Sequence, residues 1–166
     1  MAMKRLYLLR HAKSSWDDPS LADFDRPLNG RGLKAAPFMG KLIADREMRP
    51  GIILSSPAVR ARQTAELFKK AAGLKCQLRF EKDIYEASAA DLRRVVSELE
   101  EEFVSVLLVG HQPGTGELIR FLTGESPEIP TACFASISLK VDTWADIRNG
   151  SGKLDLILRP KEEMKH

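Results

Sequence analysis

Leu6-Tyr7-Leu8-Leu9-Arg10-His11 opens the chain with an apolar, β-prone run that stops on two polar side chains. Val104 to Val109, followed by Gly110 and His111, repeats the arrangement one hundred residues later. Both runs read as buried strands, so each imidazole should emerge at a strand's carboxyl end, where open α/β sheets place their ligands. Between them lies Ser55-Ser56-Pro57-Ala58-Val59-Arg60, which reads as a helix start carrying an arginine. Two histidines and two arginines converging on one sheet edge form a phosphate-handling constellation.

Working outward from these strands, the pattern alternates. Strands are expected at 4–10, 51–55, 76–81, 104–110, 133–141 and 154–159, with helices filling most of the gaps. That alternation predicts a three-layer α/β/α sandwich on a mostly parallel, mixed six-stranded sheet. Segment 56–73 is the best-marked helix: Ser56 as cap, Pro57 at the first position and Gly73 at the exit. In 88–102, Leu92, Val95, Val96, Leu99 and Phe103 recur at helical spacing behind a capping-box-like Ser88 and Asp91. The cluster Glu98 to Glu102 reads as a solvated face, and 115–124 as a short helix. Pro37 should kink or split the helix expected over 30–45. Segment 142–153 reads as a loop with at most one helical turn. Segment 12–29 is long for a connection, and such loops are often functional.

Composition narrows the class. With 166 residues, 43% hydrophobic and 30% charged, the chain reads as one ordered domain, 1–166, with a substantial core. No apolar run reaches the length needed to cross a bilayer, and Met1 to Arg5 lack a signal-peptide layout. Cys76 and Cys133 stand apart and read as reduced thiols, which favours the cytoplasm. A net charge of +3 with scattered signs favours small anionic groups over nucleic acid. Gly110, Gly114 and Gly116 fit neither the dinucleotide nor the P-loop spacing, so no nucleotide cofactor is expected.

An imidazole attacks phosphorus as a neutral nucleophile, and the transition state spreads negative charge over the phosphoryl oxygens. Arginine forks bind those oxygens and disfavour protonation of a neighbouring His11. Arg60 lies four residues after Ser56, on the same helix face, whereas Arg62 is turned away; Arg60 is therefore the second phosphate clamp beside Arg10. The amino end of this helix should add backbone N–H groups and a positive dipole end. A leaving group needs an acid: Glu86, in the turn after the third strand, is a candidate, with Asp83 and Asp91 as competitors. Arg26 either contacts substrate or closes its loop by pairing with Asp23 or Asp25. Trp16, Arg26 and Gln112 are the candidate substrate contacts, and His166 is terminal. No carboxylate or cysteine accompanies the histidines at a ligand spacing, so no metal is expected.

These motifs carry a resemblance. Leu9-Arg10-His11-Ala12 resembles the Arg-His-Gly signature of the histidine phosphatase (phosphoglycerate mutase-like) superfamily. Ser55 to Ala65 is similar to its second motif and Val109-Gly110-His111 to its third, in the same order over nearly the whole chain. Arg26-Pro27-Leu28-Asn29 and Ile84-Tyr85-Glu86-Ala87, with the short length, look most like the SixA-type phosphohistidine phosphatase branch. The resemblance implies that His11 is transiently phosphorylated and that Arg10, Arg60 and His111 hold the phosphoryl oxygens. It also implies Glu86 as proton donor and no metal. Ala12 replaces the usual glycine, which is tolerable where the backbone does not need positive φ. The expected substrate is a phosphorylated protein such as a phosphotransfer domain. Alternatives are a small phosphorylated metabolite or, in a different class, a catalytically inactive phosphate-binding module.

Overall fold

Alternation along β1 (Lys4–Arg10) sets the layers, as a computed structural model describing residues 3–164 shows. Leu6 and Leu8 face one side of the sheet and Tyr7 and Leu9 the other, the period of two that a pleated strand imposes. All four are buried, so the strand lies at the centre of the molecule.

The sheet has six strands in the order β3-β2-β4-β1-β5-β6, where β2 is Ile52–Ser55, β3 Gln77–Phe80, β4 Ser105–Gly110, β5 Phe134–Leu139 and β6 Gly152–Leu158. Only β5 runs against the rest, pairing antiparallel with both β1 and β6. This is the expected mixed, mostly parallel sheet. Helices α1 (Gly30–Asp45) and α2 (Val59–Ala72) cover one face, burying Ala36, Met39, Ile43, Ala61, Ala65 and Phe68 against Tyr7, Leu9, Ile53 and Phe134. Helices α3 (Ala89–Ser97) and α4 (Gly114–Thr123) cover the other, setting Leu92, Val96, Leu118, Ile119 and Leu122 against Leu6, Leu8, Leu54 and Leu108. A one-turn α5 (Pro160–Glu163) follows β6.

Three expectations are corrected. Helix α1 runs unbroken through Pro37, because that residue lies off the buried face and the turn it unties, at Leu33, is exposed. Helix α2 starts at Val59, not at 56: Ala58 is its cap residue, Ser56 makes no cap, and Pro57 stays outside. Helix α3 stops at Ser97, so the acidic cluster 98–102 forms turns rather than a helix face. The Ser88/Asp91 capping box is present, and Gly73 and Gly124 end their helices in the left-handed conformation. Segment 142–153 holds one 3-10 turn, Trp144–Asp146, and yields its last residues to β6. His166 lies outside the described residues.

Strand order places the site. After β1 the chain turns to α1 on one face, and after the adjacent β4 it turns to α4 on the opposite face, leaving a crevice beyond their carboxyl ends. Registers align Arg10 with Gly110 and Ser55 with Val109, so three motif ends lie side by side. Gly32 brings the first turn of α1 against the chain just after β1: a Cβ there would sit 2.2 Å from the Lys13 carbonyl oxygen.

Candidate active site

His11 continues β1 by donating its backbone N–H to the Gly110 carbonyl (3.0 Å), and Ser56 extends β2 through Val109 (3.0 Å). These bonds fix where the side chains leave the sheet. The His11 and His111 rings lie 5.1 Å apart between centroids, tilted by 51°.

The His11 ring meets the Ala12 carbonyl through Nδ1 at 2.7 Å. A carbonyl only accepts, so Nδ1 carries the proton, and the neutral ring presents its lone pair on Nε2. Burial, with the neighbouring His111, Arg60 and Arg10, pushes the His11 pKa down to about 3 despite the Ala12 bond. His11 is therefore neutral at physiological pH. Ala12 itself is buried, is absent from the residues with positive φ, and gives its N–H to Thr64 Oγ1 (2.9 Å). Thr64 in turn donates to the Arg60 carbonyl (2.7 Å), tying α2 to the chain beyond β1.

Arg10 donates through Nη1 to the Ile129 carbonyl (2.9 Å), while its buried Nε has no partner among the described residues. Its pKa is lowered, chiefly by burial. His111 bonds Ser56 Oγ through Nε2 (2.8 Å), and its buried Nδ1 is likewise without a partner among the described residues. Burial, then Arg60, hold His111 down at about 4. Two orphaned polar atoms beside a neutral imidazole, ringed by cations, suit an oxyanion with several acceptor lone pairs. The hydroxyl expected to cap α2 is spent on His111 and on the Ala58 N–H (3.2 Å).

Arg60 is buried in the second position of α2, whereas Arg62 is exposed with its guanidinium 5.0 Å above the Phe80 ring. The helix-face argument thus describes where the two side chains sit. Arg60 is held by Asp23, through Nη1 to the backbone carbonyl (2.7 Å) and Nη2 to Oδ2 (3.0 Å). Tyr85 donates its hydroxyl to the same Oδ2 (2.7 Å). That bond foremost, then the Arg60 contacts, bring the Asp23 pKa to about 2, while burial and Asp23 raise Tyr85 to about 12. Tyr85 also stands edge-on to His111 and to Phe24.

Arg26 closes its loop. It pairs with Asp23 (3.2 Å), donates to the Ser15 carbonyl (3.0 Å) and Ser14 Oγ (2.6 Å), and stacks under Trp16 at 3.2 Å. Of the two roles expected for it, the loop-organising one is occupied, and Trp16 is 75% exposed. Gln112 spends its side-chain oxygen on the Gly116 N–H (2.7 Å), leaving its NH₂ free to donate. Glu86 is exposed, adopts φ 54°, and makes no hydrogen bond or ion pair among the described residues. Among the described residues, no group of three or more His, Cys, Asp or Glu side chains is placed to hold a metal ion.

Asp23, Tyr85, Ser56 and Thr64 were not singled out as site residues from the sequence. The one available signal was the possible pairing of Asp23 with Arg26.

A family model of the histidine phosphatase superfamily (branch 1) matches residues 6–128. The chain belongs to that superfamily. An uncharacterized chloroplastic protein of Arabidopsis thaliana is 31% identical over 170 residues, covering 95% of this chain and 78% of the relative. An uncharacterized protein of Mycobacterium tuberculosis is 29% identical over 157 residues, covering 88% of this chain and 96% of that one. Among solved structures, a chain of Agrobacterium tumefaciens assigned as the phosphohistidine phosphatase SixA superposes with a TM-score of 0.81 at 32% identity, covering 95% of this chain and 98% of that one. Membership in this superfamily and the SixA-like fold support phosphatase activity. Among the described residues, no helix is long and apolar enough to cross a membrane.

Proposed function

We propose that this chain is a metal-independent phosphatase that hydrolyses phosphohistidine on a protein, such as a phosphotransfer domain, through a covalent phospho-His11 intermediate. The observation that carries the reading is the His11 Nδ1 bond to the Ala12 carbonyl, which leaves a neutral ring with its lone pair on Nε2.

In the first step His11 Nε2 attacks phosphorus, a P–N bond forms, and the bond from phosphorus to the substrate imidazole breaks. Arg10 Nε and the free edge of Arg60 donate to the equatorial oxygens as charge builds. With the Ser56 hydroxyl donating to His111 Nε2, the neutral His111 ring carries its proton on Nδ1 and adds a third donor. Glu86 supplies the proton that the departing group takes up; Asp23, ionised down to about pH 2, is not available for that role. Water then attacks phospho-His11, Glu86 accepts its proton, and inorganic phosphate leaves as His11 is regenerated. The two arginines provide the positive charge that a divalent ion otherwise brings. Two free cysteines, Cys76 and Cys133, fit a cytoplasmic setting, and residues 1–166 serve as one catalytic unit.

Brief reaction with ³²P-labelled phosphohistidine protein should trap an acid-labile, base-stable phosphoenzyme that His11→Ala abolishes. Label on another residue rejects the mechanism. A metabolite phosphate that outperforms the phosphoprotein about a hundredfold in kcat/KM, roughly 2.7 kcal/mol of discrimination, makes the enzyme a small-molecule phosphomonoesterase. Stoichiometric phosphate binding with no turnover makes it an inactive phosphate-binding module.

A further inference from the structure

A groove of about 500 Å³ opens beside the chain that follows His11. Its apolar lining is Ala35, Pro130, Pro160 and Met164, and its cations are Lys13, Arg31, Lys34 and Lys161. Among the described residues, no Asp or Glu lines it. None of the four cations makes an ion pair or a side-chain hydrogen bond among the described residues, although the chain holds 23 carboxylate side chains. They come from three separate segments: the chain after β1, the first turns of α1, and α5. The sequence disperses its positive charge, and the fold collects this part of it on one wall.

Two connections tie the groove to the reacting centre. Lys13 is two residues past His11, a Cα separation of at most about 7 Å. Segment 129–132 contributes Pro130 and Thr131 to the groove and, at its ends, grips the site: the Ile129 carbonyl receives Arg10, and the Ala132 N–H donates to the carbonyls of Arg10 (3.1 Å) and His11 (3.0 Å). The groove and the reacting centre therefore share one stretch of chain as a wall.

We propose that this groove docks an acidic polypeptide segment flanking the phosphorylated residue of the protein substrate. The proposal takes its substrate class from the proposed function and adds how that substrate is chosen. A lining that mixes apolar side chains with exposed cations matches a segment that buries an aliphatic side chain while its Asp or Glu residues meet the lysines. A small anion would instead be held by buried convergent donors, whereas Lys13, Arg31, Lys34 and Lys161 are all exposed.

The test compares the wild type with Arg31→Glu/Lys34→Glu/Lys161→Glu, which leaves every residue of the reacting centre in place. Three substrates are measured: a phosphohistidine peptide flanked by Asp and Glu, the same peptide flanked by Ser and Gly, and p-nitrophenyl phosphate. The variant should lose at least tenfold in kcat/KM on the acidic peptide and stay within twofold on the other two. The wild-type preference for the acidic peptide should fade between 0.05 and 0.5 M salt. Equal losses on both peptides, or none on either, overturn the docking role. Fluorescence anisotropy of an unphosphorylated Glu-rich peptide measures docking without catalysis. Binding that the triple variant abolishes upholds the groove even if phosphohistidine is not hydrolysed. Tighter binding of inorganic tripolyphosphate than of that peptide, lost in the same variant, overturns the peptide as occupant.

Discussion

Acidification from pH 6.5 to 4.5 should destabilise the fold through the two histidines of the site, and replacing one of them should remove its share. In the unfolded chain His11 titrates at its ordinary 6.5, whereas in the fold it stays neutral down to about 3. The unfolded state therefore binds the extra proton first, and stability falls as pH drops through the unfolded value, reaching its floor only near the folded one. Because the unfolded imidazole is already half protonated at pH 6.5, His11 contributes a loss of about 2 kcal/mol over these two pH units, at about 1.4 kcal/mol per full unit. His111, held near 4, contributes a similar loss over the same interval. Together they withdraw about 4 kcal/mol, most of the stability of a marginal domain. Asp23 does not confuse the window, because its pKa of about 2 means its stabilising charge is lost only below about pH 4. The assay is urea unfolding at pH 6.5, 5.5 and 4.5 for the wild type and for His11→Asn, which keeps a donor for the Ala12 carbonyl but cannot titrate. The variant should show about half the wild-type loss. An identical pH dependence in the two proteins would refute the claim that the fold holds His11 neutral.

Arg60→Ala should lower kcat/KM a hundredfold or more, about 3 kcal/mol for a lost transition-state donor, while Arg62→Ala changes stability by no more than about 0.5 kcal/mol; comparable activity losses would reverse the assignment. Dialysis against chelator should leave turnover intact and vanadate should inhibit, whereas activity restored only by a divalent ion contradicts metal independence. Asp23→Asn removes a negative charge from beside Arg60, so inorganic phosphate should inhibit the variant severalfold more tightly; an unchanged or weaker inhibition constant argues against Asp23 as a counter-charge to the bound anion.

Where the sequence carried periodic information, it was readable. Strand β1 spans the expected residues 4–10 because an apolar run with no helix breaker and a polar stop has few other solutions, and α1 spans the expected 30–45. Boundaries failed where a side chain had a better partner far away. Ser56 is a good cap by type, yet its hydroxyl serves His111, 55 residues on. Within the site, His11, Arg10 and His111 were legible as strand-end residues and Arg60 by its helix face. Asp23 was not: its partners Arg60 and Tyr85 are 37 and 62 residues away, and nothing periodic marks a loop residue that works through such bonds.

Strand β4 lies between β1 and β2, yet it is made long after both. Its pairing with β1 joins residues one hundred apart, Arg5 opposite Ser105, so the centre of the sheet cannot close during synthesis until that strand has left the ribosome. Until then Arg10 and His11 exist without Gly110 to fix them and Arg60 sits on a helix with half a floor. A nascent or truncated chain ending before β4 therefore holds Arg10, His11 and Arg60 without the strand that aligns them, and the candidate site takes shape only once β4 is seated between β1 and β2.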